Sequence, residues 1–80
     1  MIKIKNTKIN EVLIIQPQIH TDTRGYFFES FNDEKYNLAC KTNFVQDNES
    51  SSKFGVLRGI HFQKNPFEQS KLVRVIKGKI

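Results

Sequence analysis

Apolar and charged positions alternate from the start of the chain: Ile2 and Ile4 are interleaved with Lys3 and Lys5. Period-2 alternation is the mark of a strand with one face toward a core and the other toward water. A second apolar run at 12–15 stops at Pro17, and an aromatic-rich run at 26–31 follows the turn signal Arg24-Gly25. Residues 44–48 read as a further strand, with the serines at 50–52 as the turn after it. Runs at 56–63 and 71–80 complete the set, separated by the break Asn65-Pro66. One short helix is predicted at 33–40. Asn32 can cap it, Asp33 and Glu34 suit the positive end of its dipole, and Tyr36, Leu38 and Ala39 follow. Strands at this density with short connections predict an all-β sandwich or barrel.

The last strand-like run reaches Ile80 with no turn, cap or charged tail after it. An open edge of that kind invites aggregation. Residues 1–80 are therefore expected to form the N-terminal part of a single domain that continues beyond residue 80. Length points the same way, because a core built from 80 residues is marginal without further support.

Composition narrows the function classes. Cys40 is the one cysteine, so neither an intrachain disulfide nor a thiolate metal cluster is available, and a reducing compartment is expected. No apolar run approaches the roughly 18 residues that cross a bilayer. The N-terminus also lacks the apolar core and cleavage site of a signal peptide. A cytoplasmic protein without membrane contact is the expectation. The formal charge of +5 is concentrated at one end, in Lys71, Arg74, Lys77 and Lys79, and no acid follows Glu68. A basic excess placed that way does not make an extended phosphate-tracking surface, so nucleic acid is not an expected partner.

Three segments interrupt apolar strands with polar residues. They are Asp22-Thr-Arg-Gly-Tyr-Phe-Phe-Glu29, Phe44-Val-Gln-Asp-Asn-Glu-Ser50 and Val56-Leu-Arg-Gly-Ile-His-Phe-Gln63. Lys71, opening the last run, adds a fourth point. On a regular strand His61 shares a face with Leu57, Gly59 and Gln63, while Arg58 points the other way. A bulge at Gly59 would shift that parity and turn both toward one cavity. On residue type alone, His61 fits a hydrogen-bonded sheet histidine as readily as a catalytic one. Gln46 and Asn48 share a face and carry amides that both donate and accept, which suits a polar ligand or an outer strand equally. Arg24 could pair with a phosphate or with Asp22, and Glu29 sits among aromatics where a carboxylate is unexpected. The two histidines, His20 and His61, are far apart in sequence and position 63 is Gln. No metal-ligand set is present, which argues against a metal-dependent oxygenase; neither a metal nor another cofactor is expected.

Taken together, these blocks and Gln69-Ser-Lys-Leu-Val-Arg-Val-Ile-Lys-Gly78 closely resemble the dTDP-4-dehydrorhamnose 3,5-epimerase family, in its order and approximate spacing. The resemblance implies a cupin-type jelly roll, a cofactor-free epimerase and a homodimer in which N-terminal strands exchange. It implies a dTDP-4-keto-6-deoxyhexose substrate, dTDP-4-dehydro-6-deoxy-D-glucose, on the route to dTDP-4-dehydro-L-rhamnose. By the same resemblance His61 matches the proton acceptor and Lys71 a substrate-binding lysine placed to stabilise negative charge at the C4 oxygen. Arg58, Arg24, Glu29, Gln46, Asp47 and Asn48 match substrate- and nucleotide-contacting positions, with Arg24 and Glu29 expected at the thymidine of a site built mainly by the other subunit. A relative that inverts only C3 or C5 would look the same here. A non-catalytic sugar-nucleotide-binding jelly roll would keep the arginines and make His61 incidental.

The family's proton-donating tyrosine and the aspartate that orients its histidine match no residue of this chain; Tyr26 and Tyr36 do not correspond to that tyrosine. The 80-residue chain alone is therefore expected to be inactive. Incubation with the 4-keto sugar nucleotide in deuterium oxide should give no catalysed exchange at C3 or C5, and measurable exchange would overturn the expectation.

Overall fold

The computed structural model describes residues 2–80, and the chain divides into a unit ending at Asn43 and a unit comprising residues 44–80. In the first unit, β1 (Lys3–Asn6) pairs antiparallel with β2 (Leu13–Gln16), setting Ile4 opposite Ile15 and Asn6 opposite Leu13. The alternation read from the sequence is thus realised: Ile4, Leu13 and Ile15 share one face, and Lys3 and Lys5 share the other. The connection is tied by Thr7. Its hydroxyl lies 2.8 Å from the carbonyl oxygens of both Ile9 and Val12, and accepts the Ile9 N–H at 3.2 Å.

A second antiparallel hairpin joins β3 (Ile19–Asp22) to β4 (Gly25–Phe28) through the two residues Thr23 and Arg24. Ile19 faces Phe28 and Thr21 faces Tyr26 across the ladder. The Tyr26 and Phe28 rings, on the same face of β4, stack at 6.1 Å. Gly25 closes the turn at φ 131°, a region that L side chains rarely adopt, which is why the turn signal Arg24-Gly25 is read correctly from sequence.

The helix falls where its capping chemistry places it, α1 spanning Asp33–Cys40. Asn32 is extended (φ −149°, ψ 122°), and its Oδ1 accepts the Lys35 N–H at 3.1 Å. Asp33 and Glu34 occupy the first turn, next to the positive end of the dipole. Phe31, just before the cap, packs on Tyr36 in the second turn with ring centroids 5.4 Å apart. Cap and ring contact together form a hydrophobic staple, which fixes the angle at which the chain enters the helix. The helix ends at Lys41, in the left-handed region at φ 54°, whose N–H donates to Asn37 O at 2.7 Å.

Tyr36 is 4% exposed, the one buried apolar side chain among the described residues, so the core of the first unit sits on this ring. Leu38, the next large apolar residue of the helix, is 78% exposed. Two positions along a helix is a rotation of about 200°, so Leu38 points away from the face that Tyr36 buries.

The unit at 44–80 corrects the sequence expectation. Strands expected at 44–48, 56–63 and 71–80 are not formed among the described residues. The bulge expected at Gly59 therefore has no ladder to interrupt, although Gly59 does take a positive φ of 135°. Period-2 patterning reports how a segment would fit a half-buried sheet; it does not supply the neighbour whose N–H and C=O groups complete the ladder. Local turns form instead. Val56 N–H donates to Lys53 O at 3.2 Å and Phe67 N–H to Lys64 O at 2.7 Å. The second turn contains Asn65-Pro66 as expected. The first lies a few residues after the serines at 50–52, with Gly55 at φ 80°.

The staple gives a direct test of where stability resides. Tyr36→Ala is expected to cost about 3 kcal/mol, and Leu38→Ala within about 0.5 kcal/mol. Urea unfolding of the two variants, followed by circular dichroism, measures the difference.

Candidate functional site

Two of the residues singled out by sequence, Arg24 and Glu29, lie in the first unit. Arg24 occupies the β3–β4 turn, where Asp22 binds it three times. Asp22 Oδ1 accepts the Arg24 backbone N–H at 2.9 Å, and Oδ2 accepts from Nε at 3.2 Å and from Nη2 at 2.6 Å. An aspartate folded back onto the backbone two residues ahead is a common way to set a tight turn. Here the same carboxylate also grips the guanidinium. The Arg24 guanidinium and N–H hold the Asp22 carboxyl below its ordinary range, and the carboxylate in turn raises Arg24. Of the two partners left open by the sequence, the structure gives Arg24 to Asp22, with 89% of its side chain still exposed.

Glu29 follows β4 and pairs with Lys35 of α1 at 3.1 Å. That partner was not foreseen; the signal was available only as opposite charges on two elements whose docking the sequence does not specify. Glu29 and Lys35 line an open pocket of about 180 Å³ together with Pro17, Gln18, His20 and Phe27. His20 and Phe27 are directly opposed across the β3–β4 ladder. A larger hollow of about 570 Å³ lies along Lys3, Ile15, Gln16, Pro17, Gln18 and Ile19, but holds none of the candidate residues.

The other candidates lie in the unit 44–80. Gln46 Nε2 donates to Asn48 Oδ1 at 3.2 Å, with Asp47 exposed between them, although no strand forms there to give the two amides a common sheet face. Arg58 donates through Nε to Ser52 Oγ at 2.9 Å and through Nη2 to Ser51 O at 3.0 Å. The serine cluster thus serves as an acceptor for an arginine. His61 and Lys71 are both exposed, and among the described residues neither makes a hydrogen bond or an ion pair with Arg58 or with the other. The structure brings Gln46 to Asn48, and Arg58 to Ser51 and Ser52; it does not join His61 to Lys71.

Of the remaining reactive groups, Cys40 is a half-buried free thiol, and burial raises its pKa, which lowers its thiolate fraction. No group of three His, Cys, Asp or Glu residues able to hold a metal occurs among the described residues. No described helix is long and apolar enough to cross a membrane.

The Asp22–Arg24 contact has a measurable consequence. A depressed carboxyl contributes stability above its unfolded pKa and loses it as pH falls through the folded value. In an NMR titration the Asp22 carboxyl should titrate below an ordinary aspartate, and Arg24→Gln should move the midpoint upward. An unshifted midpoint in the unaltered protein would remove the contact from solution.

The comparisons with known proteins bear on the whole set of blocks. The family model for dTDP-4-dehydrorhamnose 3,5-epimerase matches residues 6–80. The chain is 49% identical over 76 residues to the dTDP-4-dehydrorhamnose 3,5-epimerase of Shigella flexneri, covering 92% of this chain and 42% of that protein. It is 51% identical over 75 residues to the enzyme of that name from Methanothermobacter thermautotrophicus, covering 92% of this chain and 40% of the relative. Among solved structures it is similar to dTDP-6-deoxy-D-glucose-3,5-epimerase RmlC from Legionella pneumophila, crystallised with dTDP-4-keto-L-rhamnose. The identity is 44% and the TM-score 0.56, over 60% of this chain and 27% of that one. The chain thus spans about two fifths of the length of the curated relatives it matches. A match over nearly its whole length, at close to half identity, carries one conclusion: this chain belongs to the dTDP-4-dehydrorhamnose 3,5-epimerase family.

Proposed function

We propose that residues 1–80 are the N-terminal part of a single cupin-type jelly-roll domain that continues beyond residue 80. The complete polypeptide converts dTDP-4-dehydro-6-deoxy-D-glucose to dTDP-4-dehydro-L-rhamnose, without metal or other cofactor, in the cytoplasm and as a homodimer that exchanges N-terminal strands. The observation that carries this reading is the family match over residues 6–80, which includes every candidate residue. The runs at 56–63 and 71–80 support it too, because they carry the patterning of sheet segments and form no strand among the described residues.

The chemistry follows from the substrate. Hydrogens on C3 and C5 flank the C4 ketone, and removing either leaves negative charge on the C4 oxygen. Imidazole is the side chain that ordinarily titrates near neutral pH, so a neutral histidine can take a carbon-bound proton at the working pH. His61 is assigned that task. Lys71 is assigned to the C4 oxygen, where a fixed cation stabilises the enolate more than the ketone and so lowers the barrier. Returning a proton to the opposite face completes each inversion, and the donor is supplied by the part of the polypeptide beyond residue 80. Arg58 presents a planar fork of donors suited to the diphosphate and sugar oxygens, and Arg24 a like fork for the thymidine of a site built mainly by the other subunit. Glu29 and the run Gln46, Asp47, Asn48 supply acceptors and amides for the nucleotide and sugar.

In the complete enzyme, His61→Asn is expected to lower kcat by about a thousandfold, with dTDP binding retained. Lys71→Met should lower kcat by about a hundredfold or more. Steady-state kinetics with the 4-keto sugar nucleotide, alongside calorimetric titration with dTDP, measure both. Full turnover in His61→Asn would leave a binding protein without this catalytic base. Product analysis with the unaltered enzyme reports whether C3, C5 or both are inverted.

A further inference from the structure

Asp22 has no role in the reading above, yet it makes three of the hydrogen bonds that define the β3–β4 turn. A guanidinium carries five N–H donors in one rigid plane. In Arg24 the Nε and one Nη2 donor are directed to Asp22 Oδ2, at 3.2 and 2.6 Å. Of the three remaining donors, one is the second N–H of Nη2 and two are on Nη1, so the Nη1–Nη2 end of the fork is turned away from Asp22, on a side chain that is 89% exposed. An arginine left free would have to surrender its rotamer freedom each time it bound an anion. One already clamped along its inner edge gives up much less. The Asp22 carboxylate sits behind the guanidinium, so an anion approaching the outer edge meets the cation first.

We propose that Asp22 is a positioning residue for nucleotide binding: it grips the inner edge of Arg24 so that the outer edge is presented, already ordered, to the nucleotide of the substrate. The inference rests on the assignment of Arg24 as a nucleotide contact, and it gives the aspartate of the Asp22-Thr-Arg-Gly25 turn a purpose beyond shaping the turn. Asparagine separates the two purposes. It keeps an Oδ1 acceptor for the Arg24 N–H, which sets the turn, and removes the charge that grips the guanidinium.

The probe is dTDP alone, titrated calorimetrically into the complete enzyme, with KM and kcat measured alongside. Arg24→Gln is expected to weaken dTDP binding by about tenfold; unchanged affinity would remove Arg24 from the site and the proposal with it. With that loss in hand, Asp22→Asn should weaken dTDP about two- to fivefold and raise KM to match. Its kcat should be unchanged, and it should add nothing in the Arg24→Gln background. Unchanged or tighter dTDP binding in Asp22→Asn, a fall in its kcat, or an equal further loss in the double variant would overturn the proposal and leave Arg24 a contact. Should Asp22→Asn fail to fold, Asp22→Ser keeps an oxygen acceptor for the turn and reads the same quantities.

Discussion

The first unit of this molecule depends on how the chain enters its helix. Phe31 packs at a tilt on Tyr36, ring centroids 5.4 Å apart, while Asn32 accepts the Lys35 N–H, so one ring contact and one cap define the start of α1. An isolated eight-residue helix is too short to be stable in water on propensity alone. What holds α1 is the burial of Tyr36, the side chain around which the first unit is organised. Once α1 is fixed, Lys35 in its first turn reaches Glu29 at the end of the aromatic hairpin. The position of a candidate ligand-binding carboxylate therefore follows from the staple and not from the charge pair, which is too exposed to contribute much stability.

The two candidate arginines are held in the same manner by unrelated means. In each, Nε and Nη2 donate to nearby acceptors: Asp22 for Arg24, and Ser51 O with Ser52 Oγ for Arg58. In each, Nη1 makes no hydrogen bond among the described residues. Order is thus imposed by short-range partners close in sequence, and the outer edge of each fork is left for a ligand. The acceptors lie two to seven residues from their arginines. Such contacts can form before any long-range assembly.

The helix was legible almost residue by residue, because capping is local chemistry: Asn32, Asp33 and Glu34 carry their own instructions. β1, β2 and β4 were legible from alternation and aromatic content. β3 was not, since Ile19-His20-Thr21-Asp22 has a single aliphatic residue and no clear period. It is a strand because β4 lies beside it, with Ile19 on Phe28 and Thr21 on Tyr26. The runs at 44–48, 56–63 and 71–80 show the converse, clear patterning without a ladder. Strand formation is a property of pairs, and the pattern of one segment does not identify its partner.

By itself the sequence determined the family, the capped helix, the turn at Gly25 and the identities of the residues offered for chemistry. These depend on residue types at short spacing, and short spacing is where composition acts directly. Only tertiary structure decided that Tyr36 and not Leu38 is buried, and that Lys35 answers Glu29. Those outcomes turn on which faces meet and at what distance. A linear pattern of apolar and polar positions carries no coordinate for that until the chain is folded.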